Sequence, residues 1–482
     1  MGRIIIRMSP PLPPPDYFTS ISKQLGFSVD KGEQNSLQPV INQLSSFFEI
    51  LTPEPPSHHP PRPLLHFDDP HNAFITQFSP ALGNVSDPSN LGALHGVRVA
   101  VKDNIAIKNH PMTAGSAILS NCIPTQNATI VDKLLTTGCK IVGKTNMDEF
   151  AFGPTGETSY FGPTLNPINT NYTPGGSSSG SGASVASKLA DIAIGTDTGG
   201  SVRIPASFCG LVGIKPTYET ISTNGVVELS HSLDTVGLLS YDIDLLRKTL
   251  SLLSNEKIPS SSSSQFNLET LDIGLPKPLY DNPVAPEVSN SILEIANQLK
   301  ENGSTITFSD FPKSELSSPV WRAISMGELY QYFSQEIFSK SSQSSLLSGV
   351  SIDKLGLLSP SLKQYLLAGS QLMSYKDGII YATALERREV IQNHIHNLFD
   401  HFDILISPTT PTTAFEFGTF SRNTSPPINH NTHPFNLSGH PAISIPCGFE
   451  NGLPIGLQIV GNYGYDYVLL DIAETFLKFI EN

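Results

Sequence analysis

No run of about 18 uninterrupted apolar residues occurs in the 482-residue chain, because Lys, Asp, Asn or Gly breaks every hydrophobic stretch first; a helix spanning a bilayer is therefore excluded. Positive charge is scarce as well. The 29 Lys+Arg against 43 Asp+Glu give a formal charge of −14, which excludes a basic nucleic-acid binder. Cysteine is rarer still: only Cys122, Cys139, Cys209 and Cys447 are present, with no CxxC spacing, and the histidines form no HExxH. That text offers neither a metal site nor a disulfide framework, so free thiols, no metal and no cofactor are expected. Residues 1–15 place Arg3 and Arg7 around Ile4–Ile6 and then run into prolines, an apolar region too short for a secretory signal. The cytoplasm is the expected compartment, with mitochondrial targeting as the other reading of that start.

What is present suits a large globular core. The hydrophobic fraction is 39%, beside 37 glycines, within the ordinary range for a folded chain. Residues 1–70 read as an N-terminal helical arm, with a helix over about 17–51 and a Pro/His linker, and residues 71–482 as a single domain. Within that domain Val97, Val99 and Val101 alternate as a strand ending at Lys102, followed by a helix over 128–137 and a strand over 140–144. A helix is expected at 183–190, and strands at 191–195, 211–214, 403–407, 442–446 and 455–460. The stretch 245–400 reads as a mostly helical cap, broken by serine runs at 260–264 and 339–348. Its last helix, 378–401, carries Ile380, Ala384, Ile391, Ile395 and Leu398 on one stripe. Strands alternating with helices predict an α/β fold with a buried mixed sheet.

Two Gly/Ser-rich loops stand out, Pro174 to Gly182 and Gly195 to Ser201. A flexible linker has no reason to lie between two apolar strands, as the second loop does. Consecutive glycines at a strand end let backbone N–H groups converge, as a phosphate nest or an oxyanion hole. Neither GxxxxGK[ST] nor GxGxxG is present, so an oxyanion hole beside a serine nucleophile fits better. Gly176 to Gly180 also matches GxSxG around Ser178, but the elbow that motif describes requires a preceding strand, and 166–173 reads as turn.

Lys102 in Val-Ala-Val-Lys-Asp-Asn, Ser177 in Gly-Gly-Ser-Ser-Ser-Gly-Ser and Ser201 in Gly-Thr-Asp-Thr-Gly-Gly-Ser-Val-Arg-Ile-Pro-Ala resemble the amidase signature family. Their spacings of 75 and 24 residues are similar to that family's. Further matching text runs from Gly143 to Glu149, through Phe208 to Gly210 and Lys215 to Thr217, to Gly439 to Ser444. The resemblance implies a mixed central sheet wrapped by helices and hydrolysis of an amide through an acylated serine. It assigns Ser201 as nucleophile, Ser177, on a cis peptide, as proton relay, and Lys102 as base. The backbone N–H groups of Thr198, Gly199, Gly200 and Ser201 would form the oxyanion hole. Arg203 is expected to be a structural ion-pair partner, Asp197 a loop-fixing carboxylate and Cys209 packed core.

Within the family two kinds of member compete. Broad-specificity amidases are similar in the run Asn431 to His440 and in the N-terminal arm; they imply a small-molecule amide as partner, no nucleic acid, no membrane and room for a homodimer. The A subunit of glutamyl-tRNA(Gln) amidotransferase, a glutaminase working with partner subunits, is similar in Gly143 to Ala151, Glu157 to Ser159 and Gly195 to Ser201. Arg388 falls at that subunit's glutamine-carboxylate arginine, whereas Ile204 and Asn429 stand where it carries Gln and Asp. A catalytically inactive scaffold is the third class, opposed by the presence of Lys102, Ser177 and Ser201.

Overall fold

The computed structural model describes residues 69–83, 92–255, 268–281, 283–335, 352–420 and 427–481. The expected N-terminal arm, apart from residues 69 and 70, and both serine runs lie outside them. The strands are β1 (Phe74–Leu82), β2 (Arg98–Lys102), β3 (Lys140–Thr145), β4 (Ile192–Asp197), β5 (Val212–Lys215), β6 (Thr235–Ser240), β7 (Asp272–Pro276), β8 (Thr305–Ser309), β9 (Ile404–Pro408), β10 (Ala442–Glu450) and β11 (Leu453–Gly461). They form one 11-stranded mixed sheet in the order β1-β3-β2-β4-β6-β5-β10-β11-β9-β7-β8. The helices are α1 (Thr129–Leu135), α2 (Ser179–Ala186), α3 (Arg203–Cys209), α4 (Ile243–Leu253), α5 (Pro286–Glu301), α6 (Ser317–Phe333), α7 (Pro360–Ser374), α8 (Ile379–Leu398), α9 (His433–Ser438) and α10 (Asp466–Ile480). Among the described residues no helix is long and apolar enough to cross a membrane.

The centre of the sheet positions the site. Strand β2 pairs in parallel with both β3 and β4, and every residue of β4 is buried, as are Val99 to Lys102 of β2. A parallel strand covered on both faces needs apolar or hydrogen-bonded residues at every position, and Ile-Ala-Ile-Gly-Thr-Asp supplies them. Short turns at the ends of β2 and β4 then bring the lysine and the glycine loop together.

Two expectations are corrected. The stretch 245–400, expected to be mostly helical, also contributes strands β7 and β8, which extend the sheet beyond β9 in the register Ile273↔Ile404. Strand β7 contains a Gly and a Pro that read as turn, and β8, at the sheet edge, buries only Ser309, so neither shows the apolar pattern of a core strand. The helix expected at 183–190 is α2, which begins at Ser179, and Lys188 beyond its end has φ 58°. Serine and glycine are weak helix formers, but burial of Ser179 to Val185 against the sheet overrides that preference. By contrast α8 follows its expected stripe, with Ala384, Ile391 and Ile395 buried.

Candidate active site

Lys102 ends β2 and is wholly buried. Its Nζ lies 2.8 Å from Ser177 Oγ, 2.8 Å from Thr196 Oγ1 and 3.3 Å from the Thr196 carbonyl oxygen. A neutral amine has two N–H donors and one lone pair. An ammonium would donate along all three contacts, whereas the neutral amine would keep two N–H groups on Thr196 and turn its lone pair to the Ser177 hydroxyl. Burial pushes the Lys102 pKa down to about 7, against the opposing pull of Asp148, Asp234 and Asp197. A substantial share of the lysine is thus neutral near pH 7, where a solvated lysine is almost wholly charged.

Ser177 follows a cis peptide from Gly176 and is also wholly buried. A Cβ on Gly176 would stand 2.0 Å from Asp148 Oδ2, so only glycine admits this approach. The Asp148 N–H donates to the Ser177 carbonyl at 3.2 Å, and the Ser178 N–H to the Ser201 carbonyl at 3.2 Å. Ser178 Oγ donates to the Thr196 carbonyl at 3.2 Å, so the GxSxG serine stitches the two loops to β4 and has no strand before it. Ser201 is 6% exposed, whereas Lys102 and Ser177 are both 0% exposed, so of the three only Ser201 reaches the surface. Among the described residues the Ser201 hydroxyl has no hydrogen-bond partner, so the Ser177–Ser201 contact is open in this structure. Catalytic hydrogen bonds are commonly longer without substrate and tighten when it binds.

The carbonyls of residues 197–200 are tied back one by one. Asp197 O accepts from Asn436 Nδ2 at 3.2 Å, Thr198 O from Trp321 Nε1 at 2.7 Å, and Gly199 O from Asn429 Nδ2 and Thr432 Oγ1, both at 2.7 Å. Gly200 O accepts the Ile204 N–H at 2.8 Å. In a planar trans peptide N–H and C=O point in opposite directions, so each tether turns the next residue's N–H away from the protein scaffold. Three of the four expected oxyanion donors, on Thr198, Gly199 and Ser201, are left without a partner among the described residues. Gly200 is the exception: its N–H donates to Asp197 Oδ1 at 2.8 Å, so it shapes the loop, with φ 121°, instead of facing a substrate.

Asp197 and Arg203 form a wholly buried ion pair at 2.9 Å. Arg203 also donates to Gln458 Oε1 at 2.8 Å, Asn436 Oδ1 at 2.6 Å and the Thr432 carbonyl at 3.3 Å. Burial alone would raise the Asp197 carboxyl, but the charge and hydrogen bond of Arg203, with Asn436 and Lys215, hold it far below the usual carboxylate range. Arg203 is therefore the clamp of the loop, with its guanidinium engaged wholly within the protein. Arg203→Met should lower stability by about 3–5 kcal/mol in denaturant titration, because it leaves Asp197 buried without its cation. A loss below about 1 kcal/mol would mean that the loop stands without the pair.

Other singled-out residues fall around this loop. Arg388 donates from Nε to the Leu437 carbonyl at 2.9 Å and from Nη1 and Nη2 to Ser232 Oγ and O at 3.0 and 2.9 Å, which anchors α8 to the turn before β6. The ring of His433 stacks on Trp321 at 4.2 Å, and burial keeps its pKa well below the usual value, so it is neutral. Burial raises the thiol pKa of Cys209 and removes it from nucleophilic chemistry. Thr196, Trp321, Thr432, Asn436 and Gln458 escaped sequence reasoning; for Asp197 and Gly200, an Asp three residues before a Gly was a readable turn signal.

The protein-family model that matches this chain, Amidase, covers residues 75–470. The A subunit of glutamyl-tRNA(Gln) amidotransferase from Methanosarcina mazei is 35% identical over 84% of this chain and 90% of its own length. The crystal structure of that subunit from Thermotoga maritima superposes with a TM-score of 0.72 at 29% identity, over 94% of this chain and 93% of the other. A structure described as an amidase superposes almost equally, with a TM-score of 0.71 at 29% identity over 80% and 85% of the two chains. The chain belongs to the amidase family.

Proposed function

We propose that the protein hydrolyses a carboxamide through an acylated serine, with Ser201 as nucleophile, Ser177 as relay and Lys102 as base. The observation that carries this reading is the buried 2.8 Å contact between Lys102 Nζ and Ser177 Oγ, beside N–H groups left open at 198, 199 and 201. Ser177 gives its proton to Lys102 as it takes that of Ser201, and Ser201 Oγ attacks the amide carbon. The N–H groups of Thr198, Gly199 and Ser201 hold the negative oxygen of the tetrahedral intermediate, each such donor worth about 10²–10³ in rate. The C–N bond then breaks, the departing nitrogen takes the proton back along the same chain, and water hydrolyses the ester to release the acid.

For the substrate we favour an uncharged linear carboxamide. The neutral side chain of Asn429 is bound to the Gly199 carbonyl, and three N–H groups of Arg388 are engaged within the protein. An amino-acid ammonium would find no carboxylate at 429, and a buried unpaired charge costs several kcal/mol. The second reading is the carboxamide of glutamine, in a multi-subunit amidotransferase. Overall likeness favours it: the A subunit from Natranaerobius thermophilus is 38% identical over 81% of this chain. A panel of aliphatic and aryl amides and glutamine, offered to the purified chain alone, separates the two. Neutral amides should exceed glutamine in kcat/KM by more than about tenfold, and Asn429→Asp should narrow the gap. Ammonia released from glutamine alone, and only with charged tRNA, ATP and a co-purifying subunit, would establish the second reading instead.

A further inference from the structure

Asp234 immediately precedes β6, which pairs with β4 in the register Asp197↔Thr235, so it meets Thr198 across the end of that ladder. Its carboxylate accepts Thr198 Oγ1–H at 2.5 Å, the Leu229 N–H at 2.9 Å and the Ser230 N–H at 3.2 Å. It is 5% exposed, and among the described residues no Lys, Arg or His lies within ion-pair distance of it. A buried carboxylate without a counter-ion is costly, and a neutral acceptor could satisfy the same three donors. The turn that carries it is itself held firmly. Glu328 of α6 accepts Ser230 Oγ–H at 2.5 Å and the Ser232 N–H at 3.1 Å, and Arg388 of α8 donates to Ser232.

Thr198 is thereby gripped twice, at its carbonyl by Trp321 and at its hydroxyl by Asp234. Asp148, Asp234 and Asp197 are the carboxylates whose charges act on Lys102. Asp197 is compensated by Arg203, while Asp148 accepts from the N–H groups of Gly156 and Thr158 and from the Thr158 hydroxyl. Around Asp234 itself, Glu228 of the same turn and Tyr218 lie within electrostatic reach, and His231 faces Glu328 at 3.5 Å.

We propose that Asp234 is a positioning residue of the reaction: it fixes Thr198 in the oxyanion strand and, by its uncompensated charge, sets the pH at which Lys102 becomes a base. The inference rests on the assignment of Ser201 and Lys102 made above. Burial pushes the Asp234 carboxyl up to about 7, against its hydrogen bonds from Thr198, Ser230 and Leu229. Its titration then overlaps that of Lys102, and the pH limb of the reaction would belong to the coupled pair. When Asp234 is ionised it stabilises protonated Lys102 and withholds the base.

The test is the pH dependence of kcat/KM for Asp234→Asn with an accepted amide. Asparagine can accept the Leu229 and Ser230 N–H groups through its oxygen and donate to the Thr198 hydroxyl, so the contacts survive while the charge is removed. The acid limb should move down by about one pH unit, the low end of what a nearby opposite charge does. Thr198→Val removes the hydroxyl donor and leaves the carboxyl in place; it should lower kcat and move the limb the same way by less, with both variants checked for folding by thermal melt. A folded Asp234→Asn with the limb of the parent enzyme overturns the proposal, as does Thr198→Val with an unchanged limb should the first variant not fold. Full activity of Ser201→Ala would overturn instead the reading on which it rests.

Discussion

Ser201→Ala is expected to lower amide turnover by about 10⁵-fold or more and to leave the fold intact. The size follows from the unit behaviour of a nucleophile and its proton chain, in which loss of the attacking group leaves only binding and oxyanion stabilisation. The harmlessness to the fold follows from the structure: the Ser201 hydroxyl has no hydrogen-bond partner among the described residues, so alanine removes no contact that the loop relies on. Its carbonyl, which accepts the Ser178 N–H, is unaffected by the change. Stability should stay within about 1 kcal/mol of the parent. Steady-state ammonia release, with denaturant unfolding as the control, checks both halves. A folded variant with turnover near that of the parent would place the nucleophile elsewhere.

Lys102→Met should be nearly as severe, at about 10⁴-fold. On the proposed mechanism Lys102 acts on Ser177 across a 2.8 Å contact in which both side chains are wholly buried, so no bulk base can replace it. Its pH signature has a defined sign. The active form is the neutral amine, and burial holds its pKa down to about 7, so kcat/KM should rise with pH through about 7 and level off above it. A side chain with the ordinary lysine value would keep the enzyme inactive at neutral pH. Residual activity of Lys102→Met that retained this limb would assign the limb to another group.

The placement of Lys102 beside Ser177 and of Ser201 at the neighbouring loop was legible because each lies in a segment whose local text already restricts its position. Lys102 ends an apolar strand, and Ser177 and Ser201 sit in glycine-rich loops at spacings that resemble a known pattern. The scaffold that gives them their chemistry was not. Trp321 reaches Thr198 across 123 residues of chain, Thr432 reaches Gly199 across 233 and Gln458 reaches Arg203 across 255. No periodicity or spacing encodes such pairings, since they form only when β4, β11, α6 and α9 come together. Gly200 fails as an oxyanion donor for a local reason, the capture of its N–H by the Asp197 carboxylate, which competes for backbone groups in the manner of any Asp near a turn. Strand β7 went unread because Asp-Ile-Gly-Leu-Pro carries a Gly and a Pro that read as turn, although Ile273 and Leu275 are ordinary sheet core, and β8 because this edge strand buries only Ser309 and so shows no core alternation.

The central claim, an acyl intermediate on Ser201, is open to direct observation. A slow aryl amide turned over at pH 8, quenched in acid within the first turnovers and digested for peptide mass mapping, should yield the acyl mass increment on the peptide that contains Ser201. The increment should be absent from Ser201→Ala and should disappear as the reaction runs to completion. An increment on Cys209 or another residue, or its persistence in Ser201→Ala, would contradict the account.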